Sequence, residues 1–224
     1  MGRAFGLAVA YSLAHLALAL ACLVQWGAPE PWSRLDWFTG SYLALRVMGS
    51  LHSLASSRGV FRSKPVMREW WAINSDPQFI NWVVLLMLAD LTVFLDYGHW
   101  RLVPSLERPF LQALGSALYV GIAIWQMWTD AYLAGYLSKG KPEPLPMHQG
   151  PYRFVRHPRY VAAIIGKMAF ALIFASLLGW ITALAWGAFL LRKIEIEEAH
   201  LMTLFGRGYE AYQQRTAKLL PGIY

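Results

Sequence analysis

Six long apolar runs constrain the fold of this chain more than any other feature. They cover residues 4–26, 38–55, 79–97, 109–137, 160–178 and 180–194. The 224 residues are 57% hydrophobic and 15% charged, whereas about a quarter of the residues in an ordinary soluble domain are charged. Because the runs approach the roughly 20 residues that cross a bilayer as a helix, the sequence predicts an all-α, polytopic membrane helical bundle with about six spans.

The C-terminal third has its own predicted organisation. Only residues 178–180 separate the last two runs, so these runs predict a tight helical hairpin. From 192 to 217 the pattern is helical and amphipathic, which predicts a cytoplasmic helix that folds back along the membrane surface. Its apolar positions, three to four residues apart, are Leu201, Leu204, Phe205, Tyr209 and Tyr212. We expect one membrane domain, 1–224, with four spans in 1–137 and a cofactor-binding hairpin and C-terminal helix in 138–224.

The basic residues predict the orientation. If the N-terminus is cytoplasmic and all six runs span, 15 of the 20 lysines and arginines face the cytoplasm, and Arg34, Arg101 and Arg108 face the other side. This asymmetry follows the positive-inside rule and predicts cytoplasmic N- and C-termini. These bases then serve topology and contact with membrane lipids, and we expect no nucleic-acid partner. A composition rich in alanine, leucine and arginine, without a eukaryotic targeting signal, indicates a bacterial inner membrane.

The charged residues Arg46, Asp90 and Lys167 lie near the middle or inner third of their apolar runs. An unpaired charge at such a depth costs a few kcal/mol, so each is expected to face the bundle interior. The simplest arrangement is an ion pair between Arg46 and Asp90. The alternative is that one of the three lines a substrate pocket.

Charged and aromatic residues gather at the predicted cytoplasmic end of the hairpin. Two carboxylates and an imidazole lie there with bases and rings, namely Glu197, Glu198, His157, Arg153, Arg156, Lys193, Tyr152, Phe154, Tyr160, Tyr209 and Tyr212. A matching ligand carries both signs of charge and a flat ring, as S-adenosylmethionine does. The alternative is an interfacial ion network without a ligand. With Cys22 as the only cysteine there is no cysteine-based zinc site, and we expect no metal.

Two sequence elements in this region resemble a known family. GPYRFVRHPRYVA and EEAHLMTLFGRGYEAYQQRTAKLLP are similar to the two elements that characterise the isoprenylcysteine carboxyl methyltransferase and phospholipid N-methyltransferase superfamily, across about 148–221. The resemblance implies an integral membrane methyltransferase with S-adenosylmethionine as donor. The cofactor-binding positions that it implies are His157, Pro158, Tyr152, Tyr160, Glu197, Glu198, Tyr209 and Tyr212.

Two departures from the family pattern bear on the chemistry. Ala162 replaces a glycine, and Lys193 replaces the arginine that precedes the acidic pair in prenylcysteine enzymes. Lysine does not form the same bidentate fork with a carboxylate, which disfavours a prenylcysteine carboxylate. The candidate catalytic residues are Glu198, Arg156 and Lys193, and either Glu198 or His148 would take a proton from an amine acceptor.

The resemblance leaves the methyl acceptor open. It is lipidic or small and apolar: a phospholipid amine, a thiol or a prenyl-cysteine carboxylate, with Lys193 favouring a lipid amine or another small apolar nucleophile. Two other functions are an NADPH-dependent membrane reductase of the sterol-reductase type and a non-catalytic membrane scaffold. The chain lacks a G-x-G-x-x-G loop, so a soluble Rossmann cofactor site is not expected.

Overall fold

The described part of the chain is built from helices. The computed structural model describes residues 2–25, 27–60, 77–138 and 149–222, and these ranges contain seven α-helices and no β-strand. The helices are α1 (Gly2–Leu23), α2 (Trp37–Val60), α3 (Pro77–Leu95), α4 (Pro109–Ser138), α5 (Pro158–Ile173), α6 (Leu177–Phe205) and α7 (Arg207–Arg215). Short π and 3₁₀ turns lie at Asp96–Trp100, Pro104–Leu106 and Gly150–Arg153. The all-α class is therefore confirmed.

The turn between α5 and α6 lies earlier than the sequence predicted. It comprises residues 174–176 rather than 178–180: Ala175 adopts a left-handed φ of 45°, and the Ser176 hydroxyl accepts a hydrogen bond from the Gly179 N–H at 3.3 Å. Gly179 suggested a turn, but it lies inside α6, where a β-carbon would come within 2.9 Å of Ala171 Cα on α5. The glycine permits close helix packing and does not end a helix.

The predicted single helix over 192–217 is two helices. α6 continues to Phe205, and the chain bends at Gly206, whose φ is 50°, before α7 begins. A positive φ suits glycine because it has no β-carbon. The bend folds α7 back so that Tyr209 and Tyr212 are buried against Leu201, Met202 and Phe205.

The core of the bundle is aromatic and lies where α1, α2, α3 and α5 meet. Phe170 of α5 and Phe174, which directly follows α5, pack against Tyr42 of α2, with ring centroids 5.2 Å apart in both contacts. Phe94 of α3 contacts the same two phenylalanines. α5 also packs along α4 and α6, so it is the central helix that connects the N-terminal bundle to the C-terminal elements.

The ion pair of Asp90 has a different partner from the predicted one. The Asp90 carboxylate on α3 accepts hydrogen bonds from the Lys167 ammonium on α5, and this pair takes the place of the predicted pair with Arg46. Arg46 still lies close enough to interact electrostatically with Lys167. The expectation that the charges face the interior holds for Asp90, which is buried.

Two helical segments among the described residues are long and apolar enough to cross a membrane. They are Pro109–Tyr136 and Leu177–Phe205. Their outward positions carry exposed apolar side chains, including Phe110, Ile124, Ile181 and Leu184, which would be unfavourable in water. The protein is a membrane protein.

Candidate active site

The predicted site residues converge on the carboxylate of Glu198. The Arg156 guanidinium donates from Nε to Oε1 at 2.8 Å, and His157 Nε2 lies 2.9 Å from the same oxygen. The Gln213 amide donates to Oε2 at 3.2 Å. An ionised carboxylate can only accept, so His157 carries its hydrogen on Nε2. The side chains of Arg156, His157 and Glu198 are only 6–11% exposed, which makes this a nearly dry polar cluster.

Local structure explains how these side chains meet. Pro158 is the first residue of α5, where its missing N–H costs nothing, and His157 directly precedes it. The loop before it is shaped by the 3₁₀ turn Gly150–Arg153. α6 continues beyond its apolar part, and its acidic residues thereby reach the level of this loop.

The second carboxylate, Glu197, has different partners. It accepts a hydrogen bond from the Tyr160 hydroxyl, and its Oε2 lies 4.0 Å from His157 Nδ1. The His157 and Tyr160 rings are stacked, 5.6 Å apart with an interplanar angle of 20°. Glu198 is therefore held by cationic and amide donors, whereas Glu197 lies beside two flat rings.

The two tyrosines of α7 are buried in different ways. The Tyr212 hydroxyl donates to the Tyr152 carbonyl at 2.7 Å. The Tyr209 side chain is 1% exposed, yet its hydroxyl has no hydrogen-bond partner within the described residues. Burial, followed by the negative charge of Glu198, raises the pKa of Tyr209, so its hydroxyl stays protonated. A buried hydroxyl without a hydrogen-bond partner is unfavourable unless a ligand supplies that partner.

A segment after α7 closes one side of the site and was not predicted from the sequence. The Arg156 and His157 backbone N–H groups donate to the Ala217 and Lys218 carbonyls at 2.8 and 3.2 Å. The Arg156 guanidinium also donates to the Gln213 carbonyl at 3.0 Å and to that of Thr216. An open surface depression is lined by Arg156 and residues 213–218.

α4 packs against the first residues of α5, and these contacts were not predicted from the sequence. The Trp125 indole donates to the Pro158 carbonyl at 3.0 Å. Asp130 pairs with Arg159 at 3.1 Å and accepts from Gln126. The available signal was Asp130 itself, since it is the one charged residue in the apolar run 109–137.

The remaining predicted residues take up distinct places. Lys193 is buried on α6, one turn before Glu197. Ala162 is buried on α5. Arg153 points away from the cluster, exposed and over the Phe154 ring. His148 lies outside the described residues.

The chain is similar to several known methyltransferases. The family model for phospholipid methyltransferase matches residues 110–208. Methanethiol S-methyltransferase 2 of Bradyrhizobium diazoefficiens is 24% identical, over 78% of this chain and 72% of that protein. Methanethiol S-methyltransferase of Mycobacterium tuberculosis is 23% identical, over 79% and 75%. Protein-S-isoprenylcysteine O-methyltransferase of Dictyostelium discoideum is 24% identical, over 68% and 64%. No solved structure matches the chain.

Proposed function

We propose that the chain is a member of the superfamily of isoprenylcysteine carboxyl methyltransferases and phospholipid methyltransferases, and that it methylates a small thiol with S-adenosylmethionine as donor. The observation that carries this proposal is the convergence of both family elements on Glu197 and Glu198. The relatives are named as methyltransferases, which does not favour the reductase or the scaffold.

The residues of the site fit such a donor. Its ammonium and sulfonium groups require carboxylates in a partly dry site, and Glu197 and Glu198 supply them. The stacked His157 and Tyr160 rings suit an adenine base. The Tyr209 hydroxyl, which has no hydrogen-bond partner among the described residues, is able to donate a hydrogen bond to the ligand. We assign Tyr152, Pro158 and Tyr212 to the same pocket because they form its backbone and ring contacts.

The protein's own contribution is alignment and exclusion of water. The bound donor supplies an already activated methyl group, so little acid–base help is needed. Arg156 holds Glu198 and the segment after α7 in one position. Because Glu198 already accepts from three side chains, we assign it a holding role and not that of a proton acceptor.

The acceptor is assigned from Lys193 and from the relatives. Lys193 lies one turn from Glu197 on the side toward the apolar part of α6, where an acceptor arriving from the bilayer would lie. Its ammonium favours a thiolate over a neutral thiol. A lysine does not form the bidentate fork that suits the carboxylate of a prenylcysteine, so a small thiol, such as the one named in two relatives, fits better.

Membrane topology forms part of the proposal. We place six spans in α1 to α6, with the cofactor-binding hairpin formed by α5 and α6 and with α7 lying along the cytoplasmic surface. The whole chain is one membrane domain in a bacterial inner membrane with both termini in the cytoplasm. The support is the placement of 15 of the 20 basic residues on one side.

Titration of purified protein with S-adenosylmethionine, and with NADPH as the competing cofactor, tests the donor. Glu197→Gln and Glu198→Gln should each weaken binding of S-adenosylmethionine by about 1.5–3 kcal/mol, the worth of a charge-assisted hydrogen bond. The exposed Glu195→Gln on the same helix is the matched control. Unchanged affinity in both site variants would rule out this pocket.

Labelled donor then identifies the acceptor. Methanethiol, farnesyl-cysteine and native membrane lipid are offered separately, and methylation of the thiol is expected to be the fastest. Label that enters only the farnesyl-cysteine ester would refute the interpretation of Lys193.

Single cysteines at positions 62, 101 and 215, introduced into a Cys22→Ser background, test the topology. An impermeant reagent should label 101 from one side of the membrane and 62 and 215 from the other. Labelling of 62 and 101 from the same side would contradict six spans.

A further inference from the structure

The Asp90–Lys167 ion pair lies deeper in the bundle than the site, at the junction of three helices. Asp90 is on α3 and Lys167 on α5, and their side chains are 5% and 19% exposed. The Lys167 ammonium also lies 5.7 Å from the centre of the Trp186 ring on α6 and 5.4 Å from that of Phe170. A charged group is thus held in place between a carboxylate and two aromatic faces.

Stability alone is a weak reason for this pair. Burying two charges costs several kcal/mol per ion, and apolar replacements of similar volume are often equally stable. Charged residues inside a membrane protein more often mark a substrate path or a functional site. Neither Asp90 nor Lys167 contacts the site described above, so a separate role has to be sought.

The position of Lys167 relative to Tyr160 suggests that role. Seven residues separate them on α5, which is two helical turns, so both lie on one face about 10 Å apart along the axis. On α6 the residues between Trp186 and Glu197 include the buried Leu190, Lys193 and Ile194. The Tyr160–Glu197 contact and the ion pair therefore lie about two helical turns apart along the interface between α5 and α6.

We infer that the Asp90–Lys167 pair is the floor of the acceptor site and restricts the enzyme to short-chain thiols. The inference rests on the proposed function, which puts the reacting sulfur beside Lys193, between Glu197 and the ion pair along α6. A short alkyl tail ends before the pair. A longer tail must either displace an ion pair or lie against charges that hydrocarbon cannot solvate.

A series of straight-chain thiols tests the floor directly. Methanethiol, butanethiol, octanethiol and dodecanethiol are compared by kcat/KM in the wild-type protein in nanodiscs. We expect a fall of at least about tenfold between butanethiol and dodecanethiol, the size of discrimination that a pocket wall can give. Alkyl methyl sulfides of the same lengths, used as inhibitors, give the same ranking without turnover.

Two double variants test whether the ion pair causes the discrimination against long thiols. Asp90→Ala with Lys167→Ala removes both charge and volume, and should raise the ratio of dodecanethiol to methanethiol turnover about tenfold. Asp90→Leu with Lys167→Met keeps the volume, is expected to fold because both residues become apolar, and should raise the ratio less. Met168→Ala, at an exposed position beside Lys167, is the control and leaves the ratio unchanged.

The outcomes separate this inference from the proposed function. Equal turnover of butanethiol and dodecanethiol by the wild-type protein would overturn the floor but leave thiol methylation standing. An unchanged ratio in whichever double variant folds would overturn it as well. Failure of the wild-type protein to methylate any thiol would overturn the proposed function, and the floor with it.

Discussion

Polar residues gather at both ends of this helical bundle, but they are organised differently. At the end that holds the Trp37 terminus of α2, polar side chains satisfy one another: the Tyr97 hydroxyl donates to Asp36 at 2.6 Å, and Gln112 donates to the Ile173 carbonyl at 3.0 Å. Arg34 and Arg101 both pair with Glu107. This end is a closed network that joins helices.

The site end is incomplete by comparison. Glu198 accepts hydrogen bonds from three side chains, but the buried Tyr209 hydroxyl has no partner within the described residues, and neither does His200 Nε2. An unsatisfied buried donor lowers stability unless something else completes it. The comparison therefore contrasts a polar network that is satisfied within the protein with a site that holds buried polar groups lacking a partner among the described residues.

Arg156→Ala should give the largest effect, because it affects both fold and function. It leaves Glu198 buried without its cation and frees the carbonyls of Gln213 and Thr216, so we expect a loss of about 3–5 kcal/mol in unfolding free energy and loss of S-adenosylmethionine binding. Thermal unfolding and donor titration measure the two effects. The control is Arg101→Ala at the opposite end, a half-exposed ion pair worth less than about 1 kcal/mol; equal effects of the two changes would remove the distinction between the ends.

Tyr97→Phe should separate stability from binding. The Asp36 carboxylate loses its hydroxyl donor, which costs about 1–3 kcal/mol when the acceptor stays buried. The affinity for S-adenosylmethionine should remain at the wild-type value because Tyr97 lies in the closed network. A fall in affinity that matches the fall in stability would mean that the two ends are coupled.

Tyr209→Phe should have the smallest effect and the opposite pattern. The hydroxyl makes no hydrogen bond in the protein, so its removal should leave stability unchanged or slightly higher. The binding free energy of S-adenosylmethionine should weaken by about 0.5–1.5 kcal/mol, the net contribution of one neutral hydrogen bond. A destabilised Tyr209→Phe with unchanged donor affinity would assign this hydroxyl to the fold.

Periodicity and charge predicted much of the fold because they act locally. The apolar runs coincide with helices α1 to α6, and the charged ends of the last two runs meet as expected at His157 and Glu198. The turn after α5 was misplaced because Gly179 has the same signature whether it ends a helix or permits close packing. Gly206 was passed over because apolar steps of three to four residues continue across it.

Partners that depend on the arrangement of the helices were not predictable. Sequence shows that Asp90 needs a cation, but whether Arg46 or Lys167 supplies it depends on which faces of α2 and α5 turn toward α3. The contacts of Trp125 and Asp130 with Pro158 and Arg159, the first residues of α5, arise from the packing of α4 along α5. The pairing of residues 217 and 218 with 156 and 157 is made by backbone groups, which carry no side-chain signal.

This backbone pairing ties the site to the order of synthesis. Residues 216–218 leave the ribosome after every other member of the site, and the Arg156 guanidinium meets the Thr216 carbonyl only then. A nascent chain can therefore insert its helices and bury their apolar faces before any pocket exists. A chain stopped just short of Thr216 would reach the membrane as an intact bundle with Glu198 already in position, and would still be an unfinished enzyme.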